Sequence, residues 1–155
     1  LMKSLGYEVA GVDLNCSGSL IPCTMLDIRR GLPYPDNSFD AVISQHVIEH
    51  IEKEKQQFVV NEMVRVAEKL VVVVTPNRKF PWKPPDGTHD PEHKHVLDKH
   101  ELLELLKNSC GNCHVSVAEI QNFAYASRRY FPITYGFIRI LLFKPTLVGY
   151  VVKHA

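Results

Sequence analysis

The period of the apolar positions changes several times along the chain, and each change marks a strand giving way to a turn or a helix. Tyr7 to Asp13 is a run of small and β-branched residues that closes on an acid, as a short strand does when its carboxyl end faces a site. Pro22 to Leu26 is a second short candidate running into Asp27-Ile28, and Phe39 to Ser44 is a third. Between these two, Leu32-Pro33-Tyr34-Pro35-Asp36-Asn37-Ser38 is turn chemistry, because proline fixes φ and Asp, Asn and Ser bond their own backbone. From Glu52 to Lys69, Val60, Met63, Val64 and Ala67 recur at helical spacing among Lys, Glu and Gln, which predicts an amphipathic helix. Leu70-Val71-Val72-Val73-Val74 is apolar at every position, the pattern of a strand covered on both faces. Asp98 with Glu101 forms a capping box, Leu97 and Leu102 stand where a hydrophobic staple would, and Leu102, Leu105 and Leu106 make the buried stripe. Val115 to Ile120 and Leu147 to Val152 read as late strands.

Strand, helix and strand in alternation predict an α/β fold, Rossmann-like and doubly wound, with a mainly parallel sheet. Ligands of such sheets sit beyond the carboxyl ends of the strands. The residues there are Asp13-Leu14, Asp27-Ile28, Ser44-Gln45-His46 and Thr75-Pro76-Asn77. A length of 155 residues fits one domain, so residues 1–155 are read as a single unit. Composition narrows the function classes. With 45% hydrophobic and 23% charged residues the chain is globular, and a formal charge of +1 argues against a nucleic-acid binder that relies on a broad basic surface. Four cysteines are too sparse for a disulfide scaffold, and the reading places the protein in the reducing cytoplasm. The most apolar tract, Tyr130 to Val152, is interrupted by Pro132, Arg139, Lys144 and Pro145, so stable membrane insertion is not expected.

The run from Asp27 to Ile51, with Leu32-Pro33-Tyr34-Pro35-Asp36-Asn37-Ser38-Phe39-Asp40, a strand, and then Glu49-His50-Ile51, resembles the class I S-adenosylmethionine-dependent methyltransferases of the small-molecule type. Tyr7 to Asp13 resembles the second strand of that family and Leu70 to Asn77 the fifth. The resemblance implies the cofactor S-adenosylmethionine and a small-molecule or lipid-like methyl acceptor. It implies that Asp13 holds the ribose hydroxyls and that Leu14 packs on the adenine. Asp27 would accept from the adenine amino group while Ile28 offers its backbone and an apolar contact. Ser44, Gln45 and His46 would border the methionine part. Glu49 and His50 match the family's Glu-His pair, whose role is left open.

The family's first strand and glycine-rich turn have no counterpart, and the eight glycines form no Gly-x-Gly pair. The missing strand would stand between those beginning near Tyr7 and Phe39. Three or four buried aliphatic side chains, at roughly 1.5 to 3 kcal/mol each, rival the whole net stability of about 5 to 15 kcal/mol. Three arrangements could fill the gap: direct pairing of the two neighbours, a strand from a partner chain or a second copy, or a longer reading frame.

Other features receive a structural reading first. His89, His93, His95 and His100, followed by Cys110, Cys113 and His114, raise a zinc site, yet no metal is expected. His89, His93 or His95 is instead a candidate general base in a loop beyond the fifth strand of the family pattern. Cys110-Gly111-Asn112-Cys113-His114 matches haem attachment by spacing alone, and its Gly-Asn pair reads as a helix-ending turn. Aromatic residues from Tyr125 to Phe143, interleaved with Arg128, Arg129, Arg139 and Lys144, read as an insertion that packs inward. The function expected is methyl transfer. The alternative is a non-catalytic module that keeps the fold and has lost the cofactor.

Overall fold

A computed structural model of the chain describes residues 5–79, 91–121 and 145–153. His89, Arg128, Arg129 and the aromatic insertion lie outside the described residues.

The elements in chain order are β1 (Gly11–Asp13), β2 (Cys23–Met25), a 3-10 turn (Ile28–Arg30), β3 (Phe39–Gln45), a second 3-10 turn (Ile48–His50), α1 (Lys53–Val66), β4 (Ala67–Pro76), α2 (Lys99–Ser109), β5 (Cys113–Gln121) and β6 (Pro145–Lys153). They build an α/β fold of the Rossmann type, with β3, α1 and β4 as its parallel unit. In the four-stranded sheet of order β3-β4-β6-β5, the last strand of the chain runs antiparallel between β4 and β5. β1 and β2 form a separate parallel pair. Of the three ways to fill the gap, direct pairing of neighbours is therefore not adopted: among the described residues β1 bonds β2 and β3 bonds β4. β1 is held over three residues rather than the seven that its sequence suggests.

The helix stops three residues earlier than expected. Ala67 turns to extended backbone and pairs with Phe39, and Lys69 reaches across to Asp40 instead of continuing the helix. The carbonyls of Val64 and Ala67 accept from Lys153 Nζ at 3.3 and 2.8 Å, which satisfies groups a helix end leaves orphaned. The start of α2 follows its sequence signal. Asp98 Oδ1 accepts from the amides of His100 and Glu101, and Glu101 Oε2 accepts from the Asp98 amide at 2.9 Å.

The core lies between the sheet and both helices. Val59, Val60, Met63 and Val64 of α1 and Leu102 and Leu106 of α2 pack with Val71, Val73, Val117, Leu147 and Val151. Gly149, which pairs with Val73 and Val117, lets α2 approach: a Cβ there would stand 2.5 Å from Leu106 Cδ1. Along β4 the two faces differ. Val71, Val73 and Thr75 are buried, whereas Leu70, Val72 and Val74 are only partly covered. The expectation of burial on both faces therefore holds fully for one.

The Leu32-to-Ser38 run is clamped to α1. Arg65 donates to the carbonyls of Leu32 and Tyr34 and to Asp36, Glu62 Oε2 accepts from the Leu32 amide at 2.8 Å, and Glu62 and Arg65 bridge each other at 2.7 Å. This turn thereby carries the β1–β2 layer on the helix. The cysteines pair as Cys16–Cys23 and Cys110–Cys113. Each bridge is local, and neither links one layer to another.

Candidate functional site

Parallel pairing decides where the two acids emerge. Gly11, Val12 and Asp13 stand opposite Cys23, Thr24 and Met25, and the Leu26 amide donates to the Asp13 carbonyl at 2.9 Å. Asp13 and Asp27 therefore leave the same end of adjacent strands. Asp13 is exposed, and its Oδ1 accepts from the Asn15 amide at 2.9 Å, which holds the carboxylate at the strand end. Leu14 beside it is 67% exposed, and Leu20 and Met25 of the same layer are more exposed still.

Asp27 is more constrained than its sequence reading allows. It caps the first 3-10 turn, with Oδ1 accepting from the Arg29 amide at 3.0 Å. The Arg29 guanidinium also forks onto it, Nε to Oδ1 at 2.8 Å and Nη2 to Oδ2 at 2.8 Å. These bonds to Arg29 hold the Asp27 carboxyl down at about 2, so it stays ionised. A carboxylate has about four acceptor directions, and with Nε also reaching Oδ2 at 3.1 Å the bonds from Arg29 occupy all of them, so a further donor must share or displace one. Arg29 also reaches Glu52 through Nη1 at 3.1 Å. A shallow cavity of about 450 Å³ is lined by Asp27, Arg29, Arg30, Glu52, Glu54 and Lys55; Asp13 and Ser44 are not in its wall. Ile28 packs its side chain on the core, which leaves its backbone as the group available to a ligand.

Ser44 and Gln45 are the last two residues of β3 and His46 follows it, with Ser44 buried and the other two exposed. His46 has a positive φ of 54°. In that left-handed conformation its amide donates to the Val74 carbonyl at 2.9 Å, binding the strand ends of β3 and β4 together. Its Nδ1 donates to Glu49 Oε1 at 3.1 Å. Glu49 is wholly buried, and its Oε2 accepts from Thr75 Oγ1 at 3.0 Å. The sequence flagged Thr75 as a strand-end residue and left Glu49 without a role. The structure makes Glu49 the hub of this corner, since its carbonyl also accepts from the amides of Lys94 and His95. A single acid between apolar residues and a helix gives no sequence signal of such burial.

Gln56 of α1 completes the corner. Its buried Nε2 donates to the carbonyls of Ile48, Ile51 and His95 at 2.9, 3.2 and 2.9 Å. Of the candidate bases, His95 faces Glu101 at 3.8 Å and His93 stacks edge-on against His50 with ring centres 4.9 Å apart.

Two acids thus stand at one rim of a parallel pair, and a polar strand end stands at the end of β3, all at the carboxyl ends of strands on a Rossmann-like fold. Comparison with known proteins then shows what the chain is similar to. Residues 1–74 match the family described as a methyltransferase domain. Ajmaline N-methyltransferase of Rauvolfia serpentina is 36% identical over 69 residues, 44% of this chain and 23% of that protein. A probable S-adenosylmethionine-dependent methyltransferase of Mycolicibacterium smegmatis is 39% identical over 90 residues, 54% of this chain and 34% of that protein. The crystal structure of a S-adenosylmethionine-dependent methyltransferase from Archaeoglobus fulgidus superposes with a TM-score of 0.71 at 20% identity, covering 98% of this chain and 79% of that one. The likeness to methyltransferases therefore covers residues 1–74 by family and almost the whole chain by fold. The chain's match spans about a quarter to a third of the curated relatives' length.

Proposed function

We propose that this chain binds S-adenosylmethionine along the rim formed by the carboxyl ends of β1, β2 and β3 and transfers its methyl group to a small-molecule or lipid-like acceptor. The observation that carries the reading is the β1–β2 register, which brings Asp13 and Asp27 out at the same strand ends. Asp13 would accept from the ribose hydroxyls, a task that suits an exposed carboxylate with one oxygen free of the Asn15 bond. Leu14 would cover one face of the adenine. Asp27 would accept from the adenine amino group in place of the long Arg29 Nε contact on Oδ2 at 3.1 Å, and the Ile28 backbone would serve a ring nitrogen. Ser44, Gln45 and His46 would line the methionine portion.

When bound, the cofactor supplies an electrophilic sulfonium methyl group. The protein's contribution is orientation and exclusion of water, and holding two reactants in line at contact distance is worth up to about 7 to 11 kcal/mol of barrier. A net charge of +1 supports a small acceptor over a polyanion. The same reading includes a strand from a second copy or another chain beside β3, where Ile43 is 56% exposed. Light scattering that finds only monomers removes the second-copy version.

Titration calorimetry with S-adenosylmethionine and its demethylated product tests the assignment. Wild-type protein is expected to bind in the micromolar range, and Asp13→Ala to weaken binding at least tenfold with an unchanged melting temperature. Absence of heat at millimolar ligand refutes the proposal and leaves the non-catalytic module.

A further inference from the structure

Glu49 presents a physical problem that the methyltransferase reading does not address. A fully buried carboxylate needs positive charge close by, because the cost of desolvating it runs to several kcal/mol. Among the described residues no lysine or arginine pairs with it, and its ion-pair partner is the half-exposed imidazole of His46. Two further imidazoles lie at the same corner. One ligand atom each from Glu49, His50 and His93 falls within 4.8 Å of the other two.

The imidazole of His50 is set up to coordinate. Its Nδ1 lies 3.2 Å from the Glu92 carbonyl, which can only accept, so in the neutral ring the proton is on Nδ1 and the lone pair on Nε2. A backbone carbonyl holding one ring nitrogen while the other is left for a metal is the usual outer support of a metal-binding histidine. Glu49 has the same kind of support in the Thr75 hydroxyl. The segment bearing His93 is fixed relative to both, since the amides of Lys94 and His95 bond the Glu49 carbonyl and Gln56 bonds the His95 carbonyl.

We propose that Glu49, His50 and His93 form a site for a first-row divalent transition ion such as Zn²⁺, Co²⁺ or Mn²⁺. Two imidazoles and one carboxylate are the donor set these ions accept, whereas Mg²⁺ and Ca²⁺ call for oxygen ligands. A tetrahedral ion with bonds of about 2.1 Å sets its donors roughly 3.4 Å apart, so the three atoms need close by little more than an ångström through side-chain rotation. Three protein ligands leave at least one coordination position for water or a substrate atom. The ion would also add positive charge beside a buried carboxylate whose ion-pair partner among the described residues is the His46 imidazole. The sequence pointed to a different grouping, His93 with its neighbouring histidines and the distant cysteines. It is the fold that turns His93 toward Glu49 and His50 instead.

The test uses tag-free, chelator-treated protein titrated with Co²⁺, followed by visible absorption, and with Zn²⁺, followed by calorimetry. One equivalent is expected to bind, with a cobalt spectrum showing nitrogen ligation and a raised melting temperature. Mg²⁺ should compete at least 100-fold more weakly. His50→Ala and His93→Ala should each lower affinity at least tenfold, while His100→Ala, on the exposed face of α2 beside Glu104, should leave it unchanged. Melting curves of the metal-free variants report whether they fold, and the wild-type cobalt spectrum stands without them. No saturable uptake at 100 µM-scale metal, on the order of one ion per site for even a weak site, or uptake insensitive to both substitutions, overturns the proposal. Because no step uses S-adenosylmethionine, failure here leaves the calorimetric result on Asp13 untouched.

Discussion

Gly149 sits where β6 passes beneath α2, and replacing it with alanine measures how tightly the two layers meet. The added Cβ would stand 2.5 Å from Leu106 Cδ1 and 3.2 Å from Leu102 Cδ2, and both leucines are fully buried. Neither side chain can swing into solvent, so the contact must be relieved inside the core, at a typical overpacking cost of about 1 to 3 kcal/mol. Alanine recovers roughly 0.5 to 1 kcal/mol of the backbone entropy that glycine loses in a strand. The net expectation is a loss of about 1 to 2 kcal/mol. At about 2 to 4 °C per kcal/mol for a chain of this size, the melting temperature falls by roughly 2 to 8 °C. Urea denaturation followed by circular dichroism gives the free energy directly. The decisive arm is the double variant. Leu106→Ala alone costs about 2 to 5 kcal/mol, and in the Gly149→Ala background it should cost at least about 1 kcal/mol less, because the side chain it removes is the one that clashes. A Gly149→Ala protein as stable as the parent, or strict additivity in the double variant, would refute the reasoning.

Two further outcomes follow from the same structure. The amide of Glu101 and the nearby Lys79 and Arg78 hold the Asp98 carboxyl down from its ordinary value of 3.8 to about 2. The unfolded chain therefore binds this proton first, and the stabilisation, present above about pH 4, drains away as pH falls toward 2. Asp98→Asn should lose about 1 to 2 kcal/mol at pH 7 and flatten that part of the pH profile, as denaturation series between pH 2 and 6 will show. With Cys16 joined to Cys23 and Cys110 to Cys113, thiol titration of purified, unreduced, denatured protein should count no free cysteine. A count of four would show that the pairs do not form.

What the sequence disclosed tracks how local each determinant is. The α2 start was readable because Asp98, Glu101, Leu97 and Leu102 lie within six residues and act on one another. Strand positions were readable within two or three residues for the same reason, save β1, which among the described residues pairs with β2 over three residues. The end of α1 was not, since its carbonyls are satisfied by Lys153, some ninety residues away. The Leu32-to-Asp40 run carried the family resemblance. Its observed bonds are structural, to Arg65, Glu62 and Lys69. At the rim, Asp13 and Leu14 are exposed, while the grip of Arg29 on Asp27 shows only in three dimensions. The Glu49 corner was hidden because its members come from a turn, a strand end and a stretch some forty residues on.

Gln56 gives that corner a mechanical character. One amide nitrogen fastens the turn before α1, the first residues of that helix and the His95 backbone into a single block. Repacking beneath the helix would therefore tilt the imidazoles in concert, like teeth on one gear. Swapping this glutamine for methionine, whose bulk is similar, would disengage them while leaving every imidazole in the sequence.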